Sequence, residues 1–265
     1  MPELPEVETV RRALARSLAG RRIARVRVRH RELRVPLPRD FERRLSGARI
    51  RRIDRRAKFL LARLDRGDVL VAHLGMSGRM RLFRVPAPPA EKHDHVEIVT
   101  DDGTVLRFND PRRFGLMALI AEEKIATHKW FAALGPEPLA AAFDGAALAS
   151  RLAGRKTSLK AALMDQRIVA GLGNIYVCEA LFRARLSPAR RAGTVKGPRA
   201  DALARAIRAV LDAAIAAGGS SLRDHRQPSG ELGYFQHRFA VYDREGKPCP
   251  GCDCDVRKTG GIRRR

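Results

Sequence analysis

Pro2, Glu3 and Lys58 are the residues whose types invite covalent chemistry. Pro2 is a small residue directly behind the initiator methionine, the context in which that methionine is cut off, and its removal would leave a free secondary amine. An α-amino group titrates at about 8, well below lysine, so a useful fraction is neutral and nucleophilic at pH 7. Condensed with an aldehyde or an opened sugar, a secondary amine gives an iminium that keeps its positive charge and draws electrons from the neighbouring carbon. Glu3 adds a carboxylic acid at the next residue. The plainer alternative is that Pro2 starts a helix and Glu3 complements its dipole. Lys58 stands at the mouth of the apolar run Phe59-Leu60-Leu61. Desolvation there would depress its pKa and make it an acid–base candidate, whereas a snorkelling lysine would do neither.

Other groupings suit a polyanion with stacked bases. Met76 lies in the turn Gly75-Met76-Ser77-Gly78 and could act as an apolar wedge, or it could be an ordinary hairpin tip. Arg112-Arg113-Phe114 follows Asn109-Asp110-Pro111, placing two guanidinium groups beside an aromatic ring. That grouping suits stacking into a kinked duplex; a solvated basic turn is the other reading. The segment Asp165–Asn174 carries Gly171 and Gly173 just before a helix that begins at Asn174. Exposed N–H groups at that start, with Lys156 and Lys160 on the preceding segment, would favour a phosphate; an Asn-capped helix connection is the alternative.

Bulk properties agree with a nucleic-acid partner. The 265 residues carry a net charge of +24, enough to attract polyanions. Only nine of the 53 basic residues are lysine, and an arginine excess of that kind can reflect genome base composition as much as selection for DNA, yet an Arg-rich surface binds phosphate whatever its origin. No signal peptide or membrane span is apparent, and the cysteines (Cys178 alone; Cys249, Cys252 and Cys254 together) suit a metal in a reducing cytoplasm better than disulfides.

The elements that must position these groups change character along the chain. Val7, Val10, Leu14 and Leu18 mark one helical face that Gly20 stops. Short strands are then expected at Ile23–Arg29, Ile50–Ile53, from Lys58, at Val69–Leu74, Arg79–Phe83, His95–Thr100 and Thr104–Phe108, with Asp101-Asp102-Gly103 as a hairpin turn. Such spacing reads as a β-sandwich or barrel to about residue 133. Leu134–Leu139, with two prolines, reads as a linker. Helices are expected at Ser158–Met164, Ile175–Leu186 and Arg199–Ala217, then short β-like pieces from about Phe239.

Several blocks, in order and spanning nearly the whole chain, resemble the bacterial formamidopyrimidine-DNA glycosylases. They are Met1–Val10, Arg56-Ala57-Lys58-Phe59-Leu60, His73–Gly78, Lys92–His95, Asp110–Gly115, Leu134–Leu139 and Gly173-Asn174-Ile175-Tyr176. The resemblance implies an α+β multidomain protein. Residues 1–133 would form an N-terminal β-sandwich with a leading helix, and 134–139 a linker. Residues 140–238 would form a helix–two-turn–helix domain and 239–265 a partial zinc finger. It also implies removal of oxidised purines, chiefly 8-oxoguanine and formamidopyrimidines, followed by β,δ-elimination, on double-stranded DNA containing such bases or abasic sites. Pro2 would be the Schiff-base nucleophile on C1′, Glu3 the proton donor that helps open the sugar, and Lys58 the acid–base group. Met76, Arg112 and Phe114 would fill the void left by the extruded nucleotide, with Arg112 facing the opposite base. His93, Lys156, Lys160 and Asn174 would hold phosphates, and Gly219, Ser220 and Ser221 would belong to a lesion-reading loop. Flipping is required because C1′ is out of reach while the base stays stacked. The expected setting is a monomer in the bacterial cytoplasm, off the membrane.

The chain departs from that pattern at one place. The family finger holds zinc through two Cys-x2-Cys pairs; Cys249 and Cys252 match the first, and the second has no counterpart in these 265 residues. Cys254 makes at most a third thiol, so truncation or loss of the finger is expected, with no stable tetrahedral zinc site. A second class of function follows from this: a protein that binds distorted DNA and turns over weakly. A basic membrane-surface protein ranks far behind, with no amphipathic anchor to support it.

Overall fold

A computed structural model of the chain describes residues 2–220, 228 and 233–257. It divides into two compact units, Met1–Ala132 with Gly218–Tyr234, and Ala133–Ala217 with Phe235–Arg265. The first unit opens with α1 (Leu4–Leu18), which begins earlier than its apolar period suggests. A reciprocal capping box between Glu3 and Glu6 starts it, and Pro5 is tolerated in the first turn, where its missing N–H costs nothing. Val7, Val10, Leu14 and Leu18 are buried, as the period requires.

Eight strands follow: β1 (Ile23–Val28), β2 (Ile50–Arg56), β3 (Phe59–Leu64), β4 (Asp68–His73), β5 (Arg79–Arg84), β6 (Asp94–Thr100), β7 (Thr104–Asn109) and β8 (Leu116–Ala121), with the short helix α2 (Phe41–Leu45) between β1 and β2. They form two antiparallel sheets, in the orders β1-β6-β7-β5 and β2-β3-β4-β8. One core joins their inner faces, with Ile23, Met80, Ile98 and Phe108 from the first sheet meeting Ile53, Leu60, Leu64 and Met117 from the second. This is a β-sandwich. The Gly75–Gly78 turn joins β4 in one sheet to β5 in the other, so it is a crossover and not a hairpin tip.

The second unit is helical: α3 (Gly145–Leu152), α4 (Leu159–Met164), α5 (Asn174–Arg183) and α6 (Pro198–Ala216). Asp144 and Ser158 cap α3 and α4 through their side chains. Leu148, Leu163, Val177, Leu203, Ile207 and Leu211 are all fully buried there. The segment from Leu134 also packs inside this unit: Gly135 N donates to Gln166 O, and Ala170 N to Pro136 O. A Cβ at Gly135 would stand 2.7 Å from the Arg167 and Ile168 backbone, so only glycine fits. In the described tail the expected β-like pieces reduce to one isolated bridge, Pro248 with Asp255.

Candidate active site

Lys58 sits where the backbone resists. Arg56 of β2 pairs with Phe59 of β3, so Ala57 and Lys58 alone form the hairpin loop. Ala57 takes a left-handed conformation, φ 51°, which costs a Cβ-bearing residue about 1 kcal/mol. The loop is tied down by Arg55, whose Nη1 donates to Ala57 O at 2.9 Å and whose Nε pairs with Glu8 of α1 at 3.2 Å. Burial pushes the Glu8 carboxyl up, but Arg11, Arg12 and Arg55 outweigh it and hold its pKa below the ordinary value.

Lys58 is 6% exposed and Glu3 4% exposed. Burial presses the Lys58 ammonium below its ordinary pKa, while the charges of Glu3 and Glu6 pull it part of the way back. A lysine poised this way gives up its proton more readily than a surface one. Glu6 also organises its surroundings. Its Oε2 accepts from Glu3 N at 2.8 Å, and its Oε1 accepts from Ser220 N at 2.8 Å and Ser220 Oγ at 3.0 Å. The first residues after Gly218 are thereby fastened to the start of α1, with Gly219 against the Glu6 side chain. Ser221 lies outside the described residues, as does most of the 218–225 segment.

His73, at the end of β4, belongs to the same neighbourhood. Burial first, then the charges of Lys58 and Arg34, push its pKa down to about 4. Its Nδ1 accepts from Gly75 N at 2.9 Å, so the ring is neutral with its proton on Nε2. Neither Glu6 nor His73 was singled out from sequence; a Glu-x-x-Glu spacing at the helix start is the signal that could have found Glu6.

Met76, Arg112 and Phe114 come together on two touching loops. Gly75 lies so near the Phe114–Gly115 backbone that a Cβ there would stand 2.5 Å from Gly115 N. Met76 and Phe114 are 42% and 47% exposed, large apolar side chains presented to solvent. The Arg112 guanidinium lies over the Phe114 ring, 4.6 Å from its centre. His93, partly buried, is in the same unit, its ring 6.3 Å from that of His95.

In the second unit, Asn174 is the first residue of α5 and is exposed, behind a turn folded by Gln166, whose Oε1 accepts from Gly171 N and whose Nε2 donates to Leu172 O. Lys160 and Asn174 line one cleft of about 1020 Å³; Lys156 is exposed on the segment before α4. Cys249 and Cys252 line the same cleft. The thiols of Cys249, Cys252 and Cys254 all lie within 4.8 Å of one another, and the structure records Cys252 and Cys254 as a disulfide with Cys249 free. Reduced, the three could hold a metal ion; among the described residues no further His, Cys, Asp or Glu joins them. Glu179, fully buried on α5, anchors the tail by accepting from Ala240, Val241 and Tyr242 N, each at 2.9 Å.

Comparison with known proteins decides the family. Residues 1–117 match the formamidopyrimidine-DNA glycosylase N-terminal domain, and residues 134–226 match the formamidopyrimidine-DNA glycosylase H2TH domain. The chain belongs to the formamidopyrimidine-DNA glycosylases. This is an enzyme family with glycosylase and AP lyase activity. The formamidopyrimidine-DNA glycosylase of Rhodospirillum rubrum is 58% identical over 266 residues, covering 100% of this chain and 94% of its own. That of a Caulobacter species is 55% identical, covering 96% and 92%. Among solved structures, the MutM (Fpg) protein of Thermus thermophilus is 44% identical, with a TM-score of 0.85 over 97% of this chain and 92% of its own. The Lactococcus lactis Fpg in complex with abasic-site DNA is 32% identical, with a TM-score of 0.88 over 99% and 96%. The two-sheet sandwich and the helical C-terminal region have the fold of a formamidopyrimidine-DNA glycosylase, and a C-terminal cluster of three cysteines is present. No helix among the described residues is long and apolar enough to cross a membrane.

Proposed function

We propose that this chain removes oxidised purines, chiefly 8-oxoguanine and formamidopyrimidines, from double-stranded DNA and then cleaves the strand at the abasic site. The observation that carries this is the buried cluster of Glu3, Glu6 and Lys58 beside Pro2, in which an ammonium is held below its ordinary pKa next to carboxylates. The neutral amine of Pro2, freed of Met1, attacks C1′ of the damaged nucleotide, and the C1′–N9 bond breaks with its electrons leaving on the base, which takes up the proton that the amine gives up. Glu3 protonates the ring oxygen as the sugar opens, which leaves an iminium between Pro2 and C1′. That cation acidifies the C2′ proton. Lys58 in its neutral form takes the C2′ proton as the C3′–O bond breaks and the 3′-phosphate departs (β); loss of the C4′ proton to a base then breaks the C5′–O bond and releases the 5′-phosphate (δ). Water then releases the amine.

The remaining residues bind and discriminate. Met76 and Phe114 replace the stacking of the extruded nucleotide, and Arg112 offers a donor-only guanidinium to the orphaned base. Cytosine presents two adjacent acceptors on its pairing edge, where adenine presents one acceptor beside a donor, so Arg112 favours cytosine. His93, Lys156, Lys160 and Asn174 hold phosphates, and the Gly219–Ser221 segment covers the flipped base. A zinc ion there would be held by Cys249 and Cys252, with Cys254 near enough to join them, and would cross-link the tail; three thiols leave it one ligand short of a closed structural site. Among related complexes, one Lactococcus lactis Fpg mutant holds Fapy-dG DNA, within this range, and a wild-type Lactococcus lactis Fpg holds an oxidised-pyrimidine DNA, outside it.

The test is product analysis on a duplex with one 8-oxoguanine. Free 8-oxoguanine and a one-nucleotide gap with phosphate at both ends are expected. Tight binding with no base release would instead mean a damage-recognition protein without turnover.

A further inference from the structure

Asp110 is fully buried, and its two carboxylate oxygens serve different loops. Ser77 Oγ donates to Asp110 Oδ1 at 2.5 Å, and Gly115 N donates to Asp110 Oδ2 at 2.7 Å. The Ser77 oxygen in turn accepts from Arg112 N at 3.2 Å. One carboxylate thus ties the residue after Met76 to the residue after Phe114, and the Ser77 oxygen adds Arg112 N to the same link. The Asp110 backbone is fixed as well: its N donates to His93 O, and its carbonyl accepts from His95 Nε2 at 2.7 Å and from Arg113 N at 3.2 Å. Arg113 holds a left-handed backbone, φ 55°, which turns the chain between Arg112 and Phe114. Around this clamp, Ser77 and Gly115, the partners of the Asp110 carboxylate, belong to the two loops that carry the exposed Met76, Arg112 and Phe114.

We infer that Asp110 and Ser77 are positioning residues that fuse the two loops into one preset wedge, and that through Arg112 they set which opposite base is accepted. This rests on the reading of Met76, Arg112 and Phe114 as the groups that enter the duplex. The physical reason is geometric. Two donors of a guanidinium must meet two acceptors of a base at once, and a displacement of about 1 Å can cost about a hundredfold in rate. A loop free to wander by that amount would still stack but would not discriminate. Ser77 contributes only a hydroxyl, yet that oxygen both donates to Asp110 and accepts from Arg112 N, so it transmits the position of one loop to the other.

The test is the ratio of kcat/KM for 8-oxoguanine opposite cytosine to that opposite adenine. A ratio is blind to the fraction of active protein, so partial misfolding does not move it. Ser77→Ala and Asp110→Ala are expected to lower the ratio by about tenfold, towards the value for Arg112→Ala. Asp110→Asn is expected to restore it, since an amide accepts from Gly115 N through oxygen and donates to Ser77 Oγ through nitrogen. If Arg112→Ala lowers the ratio while Ser77→Ala and Asp110→Ala leave it at the wild-type value, the clamp has no positioning role and the inference is wrong. If Arg112→Ala itself leaves the ratio unchanged, the wedge reading fails and takes the inference with it. Should Asp110→Ala not fold, Ser77→Ala alone decides.

Discussion

His73 gives the site a built-in sensitivity to acid that can be measured at one tryptophan. The folded protein refuses a proton on this imidazole until about pH 4, whereas the unfolded chain accepts it at about 6.5. Between those values the unfolded state binds more protons, so stability falls as pH drops from 6.5 towards 4 and is unaffected by this group above that window. A depression of this size corresponds to about 3 kcal/mol in full, of which about 2 kcal/mol is lost by pH 5. Protonation at Nδ1 also removes the acceptor for Gly75 N, so the Met76 loop loosens in the same range. His73→Asn keeps an oxygen near the Nδ1 position and cannot titrate. Trp130, the only tryptophan, stacks on Phe59 at 6.0 Å, and Phe59 contacts His73 at 4.8 Å, so its fluorescence reports this neighbourhood. Urea unfolding followed at Trp130 should show the wild-type midpoint falling between pH 7 and pH 5 by about 1 M more than that of His73→Asn, given a slope of about 2 kcal/mol per M. Parallel shifts in the two proteins would refute the reasoning, because the remaining groups that titrate, His128 among them, are common to both.

Three further outcomes follow. Lys58→Met should slow strand cleavage at a preformed abasic site by about a hundredfold or more; in the wild type that rate should rise with pH through an apparent pKa below that of ordinary lysine, and a flat profile would remove Lys58 from the elimination step. Glu179→Gln turns an acceptor oxygen into a donor facing backbone N–H groups, and should destabilise the second unit by about 2–3 kcal/mol, read as a lower melting temperature and faster proteolysis near Phe239–Tyr242. Cys254→Ser should reduce zinc bound by the reduced protein, measured by metal analysis, if all three sulfurs share the ion; unchanged zinc would assign it to Cys249 and Cys252 without Cys254.

How much of this was legible in the chain depends on the range of the interaction. The seven strands read from alternation and turns, and the four helices read from their period, are all present, because those signals are local. β8 (Leu116–Ala121) was missed because its apolar run has no alternation, α2 because five residues are too few to show a period, and α3 because its alanines blur the face that buries Leu148 and Leu152. The candidates Pro2, Glu3 and Lys58 were visible from residue type and context alone. Glu6, Asp110 and Glu179 were not, since each acts through partners far along the chain: Ser220 lies 214 residues from Glu6, Ser77 33 from Asp110, and Ala240 61 from Glu179. For the Met76 turn both a wedge and a hairpin tip stood open, since nothing local says that the strands on either side belong to different sheets. Cys254 was discounted on spacing, yet folding brings it to the other two thiols.

The central claim is that the nitrogen of Pro2 forms the covalent link to the damaged sugar. Borohydride reduction during reaction with an 8-oxoguanine duplex, followed by proteolysis and mass spectrometry, tests it at the atom. The account predicts one DNA adduct on the peptide beginning at Pro2, and none when Met1 is retained. An adduct on Lys58 or another lysine, or full trapping by protein that keeps Met1, would contradict it.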